Sequence, residues 1–228
     1  MTPESPNEHD AQVGTYFDRA ATMFDTFYDK KRTRLMRWVD RKFRSDMFER
    51  FRLTFEALGP LVDKTVLDVG CGSGPYVVEA VRRGARRVVG LDMAPAMLDL
   101  AQRRAAATGV ADRCEFVEGT FPADAPDGTF DHAIIMGVMD YVPDAQAFLK
   151  ALRERVRGRA VLSFPSKHWF RTPLRKARYW IKRCPVYFFD AAQIETLMHD
   201  AGFSNVRVEK ISGAGMDYVA AGSGAEGT

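Results

Sequence analysis

The chain has 228 residues, of which 46% are hydrophobic, so it can bury one well-packed core. Its formal net charge is +3. The charge is too small to indicate a nucleic-acid-binding protein, and no apolar run approaches the roughly 20 residues that a membrane-spanning helix requires. The three cysteines form no CxxC pair and the polar N-terminus does not resemble a signal peptide, so we expect a cytoplasmic protein without a disulfide framework or a metal site.

Helical periodicity dominates the N-terminal quarter of the chain. Apolar side chains recur at three- and four-residue spacing along residues 13–28, and again along a second stripe that includes Met47 and Phe55. Gly59-Pro60 then ends the second helix. We therefore predict that residues 1–60 form an N-terminal helical cap.

Residues 61–220 alternate between strand-like and helical runs. The strand-like runs are KTVLDV, RRVVGLD, CEFVEG, DHAIIMG, RAVLSF, NVRVEKI and, more weakly, GMDYVAA. The helices between them are marked by prolines in a first turn, by an Asp-Gln capping box and by glycines at their ends. These residues are Pro75, Pro95, Asp190, Gln193, Gly84, Gly109, Gly158 and Gly202. The alternation predicts a Rossmann-like α/β fold with a mostly parallel sheet and helices on both faces, followed by a disordered tail over residues 221–228.

The run VLDVGCGSGPY carries the most specific signal. An apolar strand ends at Asp68, and three glycines follow, which lets the backbone turn sharply and approach a ligand closely. The glycines are Gly70, Gly72 and Gly74. The dinucleotide fingerprint G-x-G-x-x-G would need a glycine where Pro75 stands, and the Asp68 carboxylate would repel a pyrophosphate. The motif therefore favours a ligand that carries positive charge over a nucleotide phosphate.

A second carboxylate follows at the end of the next strand-like run, where Asp92 stands 24 positions after Asp68. An acidic side chain at the tip of the second strand can accept hydrogen bonds from both hydroxyls of a ribose. S-adenosylmethionine combines a ribose with a sulfonium and an ammonium, so the two carboxylates together favour it as the ligand. The alternative is that the glycine-rich run is only a tight connection and that Asp92 only ends a strand.

With these motifs, residues 65–220 resemble the core of the class I S-adenosylmethionine-dependent methyltransferases. VLDVGCGSG matches the family's first motif and VVGLDMAPAML its second, while FVEGTF and FDHAIIMGVMDYV fall where the third and fourth are expected. The resemblance implies a seven-stranded sheet whose last strand is antiparallel. It also implies S-adenosyl-L-methionine as cofactor and a methyltransferase activity.

The resemblance further implies which residues hold the methionine and ribose parts of the cofactor. Asp68 and the three glycines would surround the methionine part, and Asp92 would hold the ribose. Met136 and Gly137 would close the pocket below the sulfonium.

The adenine end departs from the family's pattern. Met93 would pack on the adenine, as in relatives. Thr120 stands where many relatives have an acidic residue near the adenine amine, so its hydroxyl or a backbone carbonyl would have to replace that contact. Phe121, the next residue, is included in the predicted cofactor site.

The cap carries a looser resemblance. YFDRAATMFDTFYD is similar to the N-terminal caps of small-molecule methyltransferases, including magnesium-protoporphyrin O-methyltransferases. In such caps the aromatic pair, here Tyr16 and Phe17, can fold over the cofactor. We therefore predict that Tyr16 contacts the cofactor and that residues 10–30 act as a lid; the alternative is that both rings are ordinary core of an amphipathic helix.

Recognition of the methyl acceptor is expected in residues 165–189, where basic and aromatic side chains alternate without an acidic residue. An arginine, Arg175 or Arg178, could grip a carboxylate or phosphate while the aromatic rings cover an apolar body. Tyr141 and His168 are further acceptor-site candidates. We therefore predict a small, anionic aromatic or apolar acceptor; an anionic membrane surface, RNA and a merely solvated basic face are the alternatives.

Methyl transfer asks the protein mainly to hold the acceptor in line with the methyl group in a dehydrated pocket. A base that removes the acceptor's proton could be Asp140, Tyr141 or His168, and the sequence selects none of them. Other functions stay open: a non-catalytic cofactor-binding or scaffold protein, an RNA-directed methyltransferase and, disfavoured by Pro75 and Asp68, a nicotinamide oxidoreductase.

Overall fold

A seven-stranded sheet forms the centre of the protein. The computed structural model describes residues 47–166, 186–211 and 217–224. The strands are β1 (Thr65–Val69), β2 (Arg87–Asp92), β3 (Cys114–Glu118), β4 (Phe130–Ile135), β5 (Val156–Phe164), β6 (Ser204–Lys210) and β7 (Tyr218–Ser223). Their order is β3-β2-β1-β4-β5-β7-β6, and β7 runs antiparallel to both of its neighbours, whereas the first five strands pair in parallel. The predicted Rossmann-like α/β fold with an antiparallel last strand is confirmed.

Helices cover both faces of this sheet. They are α1 (residues 47–58), α2 (Pro75–Arg82), α3 (Pro95–Ala107), α4 (Ala145–Arg155) and α5 (Ala191–Asp200), with a 3₁₀ turn at Ala111–Arg113. Side chains of α1, α2 and α3 share one buried apolar cluster with the sheet, and those of α4 and α5 share a second one. None of the helices within the described ranges has the length and apolar character needed to cross a membrane.

The helix starts follow from local sequence signals. Pro75 and Pro95 stand in the first turns of α2 and α3, where a missing backbone N–H costs nothing. Before α5, the side chains of Asp190 and Gln193 each accept a hydrogen bond from the other's backbone N–H, as the predicted capping box requires.

Helix α1 is the described part of the predicted cap. Phe55 and Leu58 are almost fully buried, in the same cluster as Val66 of β1. The helical periodicity assigned Met47 to the apolar stripe, but its side chain is 51% exposed. The buried side chains of α1 begin at Leu53. This helix therefore packs directly on the sheet along its second half.

Two boundaries differ from the sequence-based expectation. Gly158 lies inside β5 and does not end a helix; a Cβ at this position would come within 2.6 Å of the Asp131 carbonyl oxygen, beside a register irregularity between β4 and β5. The chain also stays ordered past residue 221, because Ser223 of β7 pairs with both Arg159 and Ser204. Residues 225–228 lie outside the described ranges.

Candidate active site

The glycine-rich loop lies at the carboxyl end of β1, the position where open parallel sheets bind ligands. Each of its three glycines has a positive φ, a backbone conformation that disfavours other residues. A Cβ on Gly70 would overlap the side chain of Val138, and one on Gly74 would come 2.9 Å from the Cβ of Ala101 on α3. A Cβ on Gly72 would meet nothing within 4 Å. Gly70 and Gly74 thus allow close packing within the protein, whereas Gly72 leaves the loop open to a ligand.

Asp92 fixes this loop against the end of β2. One carboxylate oxygen, Oδ2, accepts a hydrogen bond of 2.7 Å from the backbone N–H of Gly72, and Oδ1 accepts one of 3.0 Å from the N–H of Ala94. The two carboxylates predicted for the site, Asp68 and Asp92, are therefore brought to neighbouring strand ends on either side of the loop.

Asp68 is the most unusual group of the site. Its side chain is 1% exposed, and Oδ2 makes no hydrogen bond to any residue that the structure describes. Burial, and next the charge of Asp92, hold the pKa of the Asp68 carboxyl well above its usual range. A buried polar atom without a partner is costly, so this carboxylate indicates a donor or cation that the protein itself does not supply.

Arg50 of α1 carries a second unsatisfied polar atom. Its Nε is buried and has no hydrogen-bond partner in the described ranges. Tyr76 lies under the influence of both charged groups: burial raises the pKa of its hydroxyl, the Arg50 guanidinium opposes this shift, and the Asp68 charge adds to it. The Tyr76 ring also packs on Phe51 of α1, with ring centroids 5.0 Å apart. The amphipathic pattern of α1 gave no signal for this role, because Arg50 reads there as a polar residue beside the apolar stripe.

The loop after β4 forms another wall. Met136 is buried, and its Sδ lies 3.5 Å from the hydroxyl of the fully buried Thr54 on α1. Gly137 has a φ of 80° and open space where a Cβ would stand, and its N–H donates a 2.8 Å hydrogen bond to Oγ of Ser163. Helix α1 and strand β5 thus both hold this loop.

The carboxyl end of β3 carries the remaining predicted cofactor contacts. The backbone N–H and the hydroxyl of Thr120 both donate to Oδ2 of Asp124, at 2.8 and 3.2 Å. The ring of Phe121 packs on Phe148 of α4, with centroids 4.9 Å apart. Met93 is half-buried next to Asp92.

Acceptor-site candidates lie further along the β4 loop. Asp140 and Tyr141 are half-buried, and the carbonyl of Asp140 accepts a 2.9 Å hydrogen bond from the N–H of Tyr187. This bond ties residues 186–189 to the loop, while Phe189 pairs with Ser166 just beyond β5. An open groove of about 430 Å³ follows, lined by Phe188, Phe189, Ala192, Gln193, Thr196 and Leu197.

Comparison with known proteins decides the family. A family model described as a methyltransferase domain matches residues 66–158, the span from β1 into β5. A ubiquinone biosynthesis O-methyltransferase of Neisseria meningitidis is 39% identical over 107 residues, which make up 46% of this chain and 44% of that protein. The chain belongs to the class I S-adenosylmethionine-dependent methyltransferases. The predicted family and its cofactor, S-adenosylmethionine, are confirmed.

Other relatives of this methyltransferase have different names. A tRNA U34 carboxymethyltransferase of Actinobacillus succinogenes is 33% identical over 175 residues, 74% of this chain and 53% of that protein. The chain thus spans about half the length of the curated relatives it matches. Among solved structures, magnesium protoporphyrin IX methyltransferase from Synechocystis with bound S-adenosylmethionine superposes with a TM-score of 0.75. The two chains are 21% identical, and the superposition covers 98% of this chain and 99% of that one, so this likeness shows that they share a fold.

The methyltransferase fold brings one group of predicted residues to a single end of the sheet. This group is Asp68, Gly70, Gly72, Gly74, Asp92, Met93, Thr120, Met136, Gly137 and Tyr141. Phe121 instead turns its ring toward α4. Tyr16, His168, Arg175 and Arg178 lie outside the described residues, as does the predicted lid over residues 10–30. Within the described ranges, no three His, Cys, Asp or Glu side chains are grouped so that they could hold a metal ion.

Proposed function

We propose that this methyltransferase binds S-adenosylmethionine between the glycine-rich loop and α1 and transfers its methyl group to a small acceptor. The observation that carries the proposal is the pair of buried, unsatisfied polar atoms, Oδ2 of Asp68 and Nε of Arg50. An amino-acid group carries an ammonium and a carboxylate, which are the complements of these two side chains. One acceptor and one donor therefore fit the ammonium and the carboxylate of the cofactor's methionine part.

The remaining cofactor contacts follow from the neighbouring strand ends. Asp92 would accept hydrogen bonds from the ribose, and Gly72 leaves room for the cofactor against the loop backbone. Met136 and Gly137 would lie below the sulfonium. When bound, S-adenosylmethionine supplies a methyl group that its sulfonium activates toward nucleophiles.

The chain's own part in the reaction is positioning and exclusion of water. Fully buried Thr54 and buried Met136 close the α1 side of the pocket, and the Ser163 hydrogen bond fixes the loop at Gly137. Asp140 and Tyr141 stand on the same loop, where either could take the acceptor's proton. His168 stays a further candidate from the sequence.

For the acceptor we propose a small aromatic or apolar molecule with a negative charge. The names of the Neisseria relative and of the Synechocystis structure both point to small-molecule acceptors. The groove lined by Phe188, Phe189 and Leu197 is largely apolar and lies beside the carboxyl end of β5. Arg175 and Arg178, which belong to the basic and aromatic segment 165–189, would bind the negative group of the acceptor.

RNA is the second candidate acceptor. The relative that aligns over 74% of this chain is named as a tRNA U34 carboxymethyltransferase, and an RNA acceptor in that name favours this candidate. The small net charge of +3 favours a small molecule instead. A non-catalytic protein that only binds the cofactor is the remaining alternative, and the cytoplasmic location stays a prediction.

The test uses S-adenosylmethionine with a labelled methyl group. The full chain is incubated with separated small-molecule, RNA and protein fractions of a cell extract, and an Asp68→Asn variant serves as the inactive control. Label in an anionic small molecule, absent with the variant, is expected. Label in RNA would show that the acceptor is RNA and not a small molecule. Binding of S-adenosylmethionine without transfer to any fraction would support the non-catalytic alternative. A chain that does not bind S-adenosylmethionine would overturn the proposal.

A further inference from the structure

A second groove lies between α1 and strands β5, β7 and β6, and we call it the α1–β6 groove. Its volume is about 430 Å³, which is in the range of small-molecule sites. Its floor is apolar: Leu53 of α1 and Val219 of β7 are 8% and 4% exposed, and Ala57 and Ala221 add small side chains. None of the residues that line this groove belongs to the predicted cofactor or acceptor sites.

One end of the groove holds an arginine that the fold keeps in place. Nη1 of Arg159 donates hydrogen bonds to the carbonyls of Ala57 and Leu58, at 3.0 and 3.4 Å, where α1 ends. Gly59 allows this approach, since a Cβ there would come within 2.9 Å of the same nitrogen. A guanidinium has five N–H donors, and Nε and Nη2 of Arg159 form no hydrogen bond with a described residue. The Arg159 side chain is therefore ordered and keeps donors for a ligand.

The neighbouring strands bring further donors to this end of the groove. Arg159 pairs in register with Ser223 of β7, and Ser223 pairs with Ser204 of β6, so Asn205 follows on the next strand. Arg207 pairs with Ala221, two residues from Ser223, and its side chain forms no hydrogen bond or ion pair within the described part of the chain. A hydroxyl, an amide and a second guanidinium thus line the groove beside Arg159.

The acidic residues of the groove do not neutralise these donors. Both carboxylate oxygens of Glu56 accept hydrogen bonds of 2.6 Å from Arg52 on the exposed side of α1. Glu209 pairs with Val219, further along the strands from the Arg159 row. Positive charge therefore dominates at the Arg159 end, where an anion fits better than a cation.

We infer that the α1–β6 groove binds a small molecule that carries an oxyanion group, a carboxylate or a phosphate, on an apolar body. Arg159 and Arg207 bind the oxyanion through their guanidinium N–H groups. Leu53, Val219 and Ala221 contact the apolar body. Such a ligand touches α1 and the sheet at once, so it also holds the helix on the sheet. The inference does not rest on the proposed function.

The experiment is calorimetry on the full chain in excess S-adenosylhomocysteine, which keeps the probes out of the cofactor site. Hexanoate and hexyl phosphate carry an oxyanion on an apolar body, hexanol has only the body, and inorganic phosphate has only the anion. We expect at least one of the two anionic probes to bind about 10- to 100-fold more tightly than hexanol and than inorganic phosphate, the range of hydrogen bonds to charged groups. The stronger of the two identifies the oxyanion.

Three variants locate the site. Arg207→Gln should weaken the anionic probe about 10-fold, whereas Glu209→Gln should strengthen it by up to about fivefold, because a repelling charge is removed. Lys210→Gln is the matched control, since this side chain lies over the Tyr218 ring and does not line the groove. Arg159 is left unchanged, because its removal would also release the end of α1. Anionic probes that bind no better than hexanol would overturn the inference, and so would equal losses in Arg207→Gln and Lys210→Gln.

Discussion

The hydroxyl oxygen of Ser163 accepts a 2.8 Å hydrogen bond from the backbone N–H of Gly137. Ser163 is 2% exposed in β5, and Gly137 lies near the start of the loop after β4, which forms one wall of the candidate site. Parallel pairing of β4 with β5 ends at Ile135, so this side-chain bond extends the connection between the strands past the last backbone pair. The loop's backbone is thereby fixed where the methyl group would be transferred.

Removal of this hydroxyl should loosen the loop. We expect Ser163→Ala to lower the free energy of unfolding by about 1 kcal/mol, the usual net value of such a bond, and to lower kcat more than it raises the KM for the cofactor. Thermal unfolding and steady-state kinetics measure the two effects. Ser166→Ala is the matched control, because Ser166 is also buried at this strand end and its side chain forms no hydrogen bond with a described residue. Equal behaviour of the two variants would contradict the assigned role.

Asp68→Asn should stabilise the protein without ligand and abolish its response to cofactor. Burial raises the pKa of Asp68. Above the usual aspartate pKa of about 3.9, the folded state therefore keeps a proton that the unfolded state has lost, and stability falls as pH rises toward the raised value. The amide does not titrate, so the variant should melt a few degrees above the wild type at neutral pH and lose this advantage in acid.

The same variant should show little further stabilisation by S-adenosylmethionine, since a neutral amide cannot match a cation. Asp99→Asn, an exposed position on α3, should change neither the pH profile nor the ligand response. Differential scanning fluorimetry across pH measures both. If S-adenosylmethionine raised the melting temperature of the wild type and of Asp68→Asn equally, Asp68 would not be part of the cofactor site.

The positions of the strands along the chain and the main site motifs could be predicted because they depend on local signals. Alternating apolar runs, helix-starting prolines and the glycine-rich turn each act within a few residues. Gly158 could not be placed correctly, because its glycine is required by the Asp131 carbonyl of another strand. Arg50 was missed for the same reason: its importance comes from neighbours that become visible only once the helix is packed on the sheet.

The glycines of the loop offer a test of two separate roles. Gly70→Ala places a methyl group against Val138 and should cost about 1–3 kcal/mol of stability, part of which a second change, Val138→Ala, should restore. Gly72→Ala meets no protein atom and should cost about 1–2 kcal/mol through its positive φ alone. Its main effect should be on cofactor affinity, because the methyl group projects toward the ligand.

Chemical denaturation and calorimetry separate these outcomes. The structure predicts that the Val138→Ala rescue applies to Gly70→Ala and not to Gly72→Ala. A Gly72→Ala variant with unchanged cofactor affinity would show that the ligand does not approach this part of the loop.

Arg50 should bind the carboxylate of the cofactor's methionine part, and a ligand without that carboxylate can isolate this role. Arg50→Ala should weaken S-adenosylmethionine by about 10- to 100-fold, and Arg50→Lys should recover only part of the loss, since lysine lacks the paired donors. Affinity for methylthioadenosine, which has no amino-acid group, should not change. Arg52→Ala is the matched control, because Arg52 pairs with Glu49 and Glu56 on the exposed side of the same helix. If Arg50→Ala weakened both ligands equally, Arg50 would act by holding Tyr76 and α1 in place and not by binding the carboxylate.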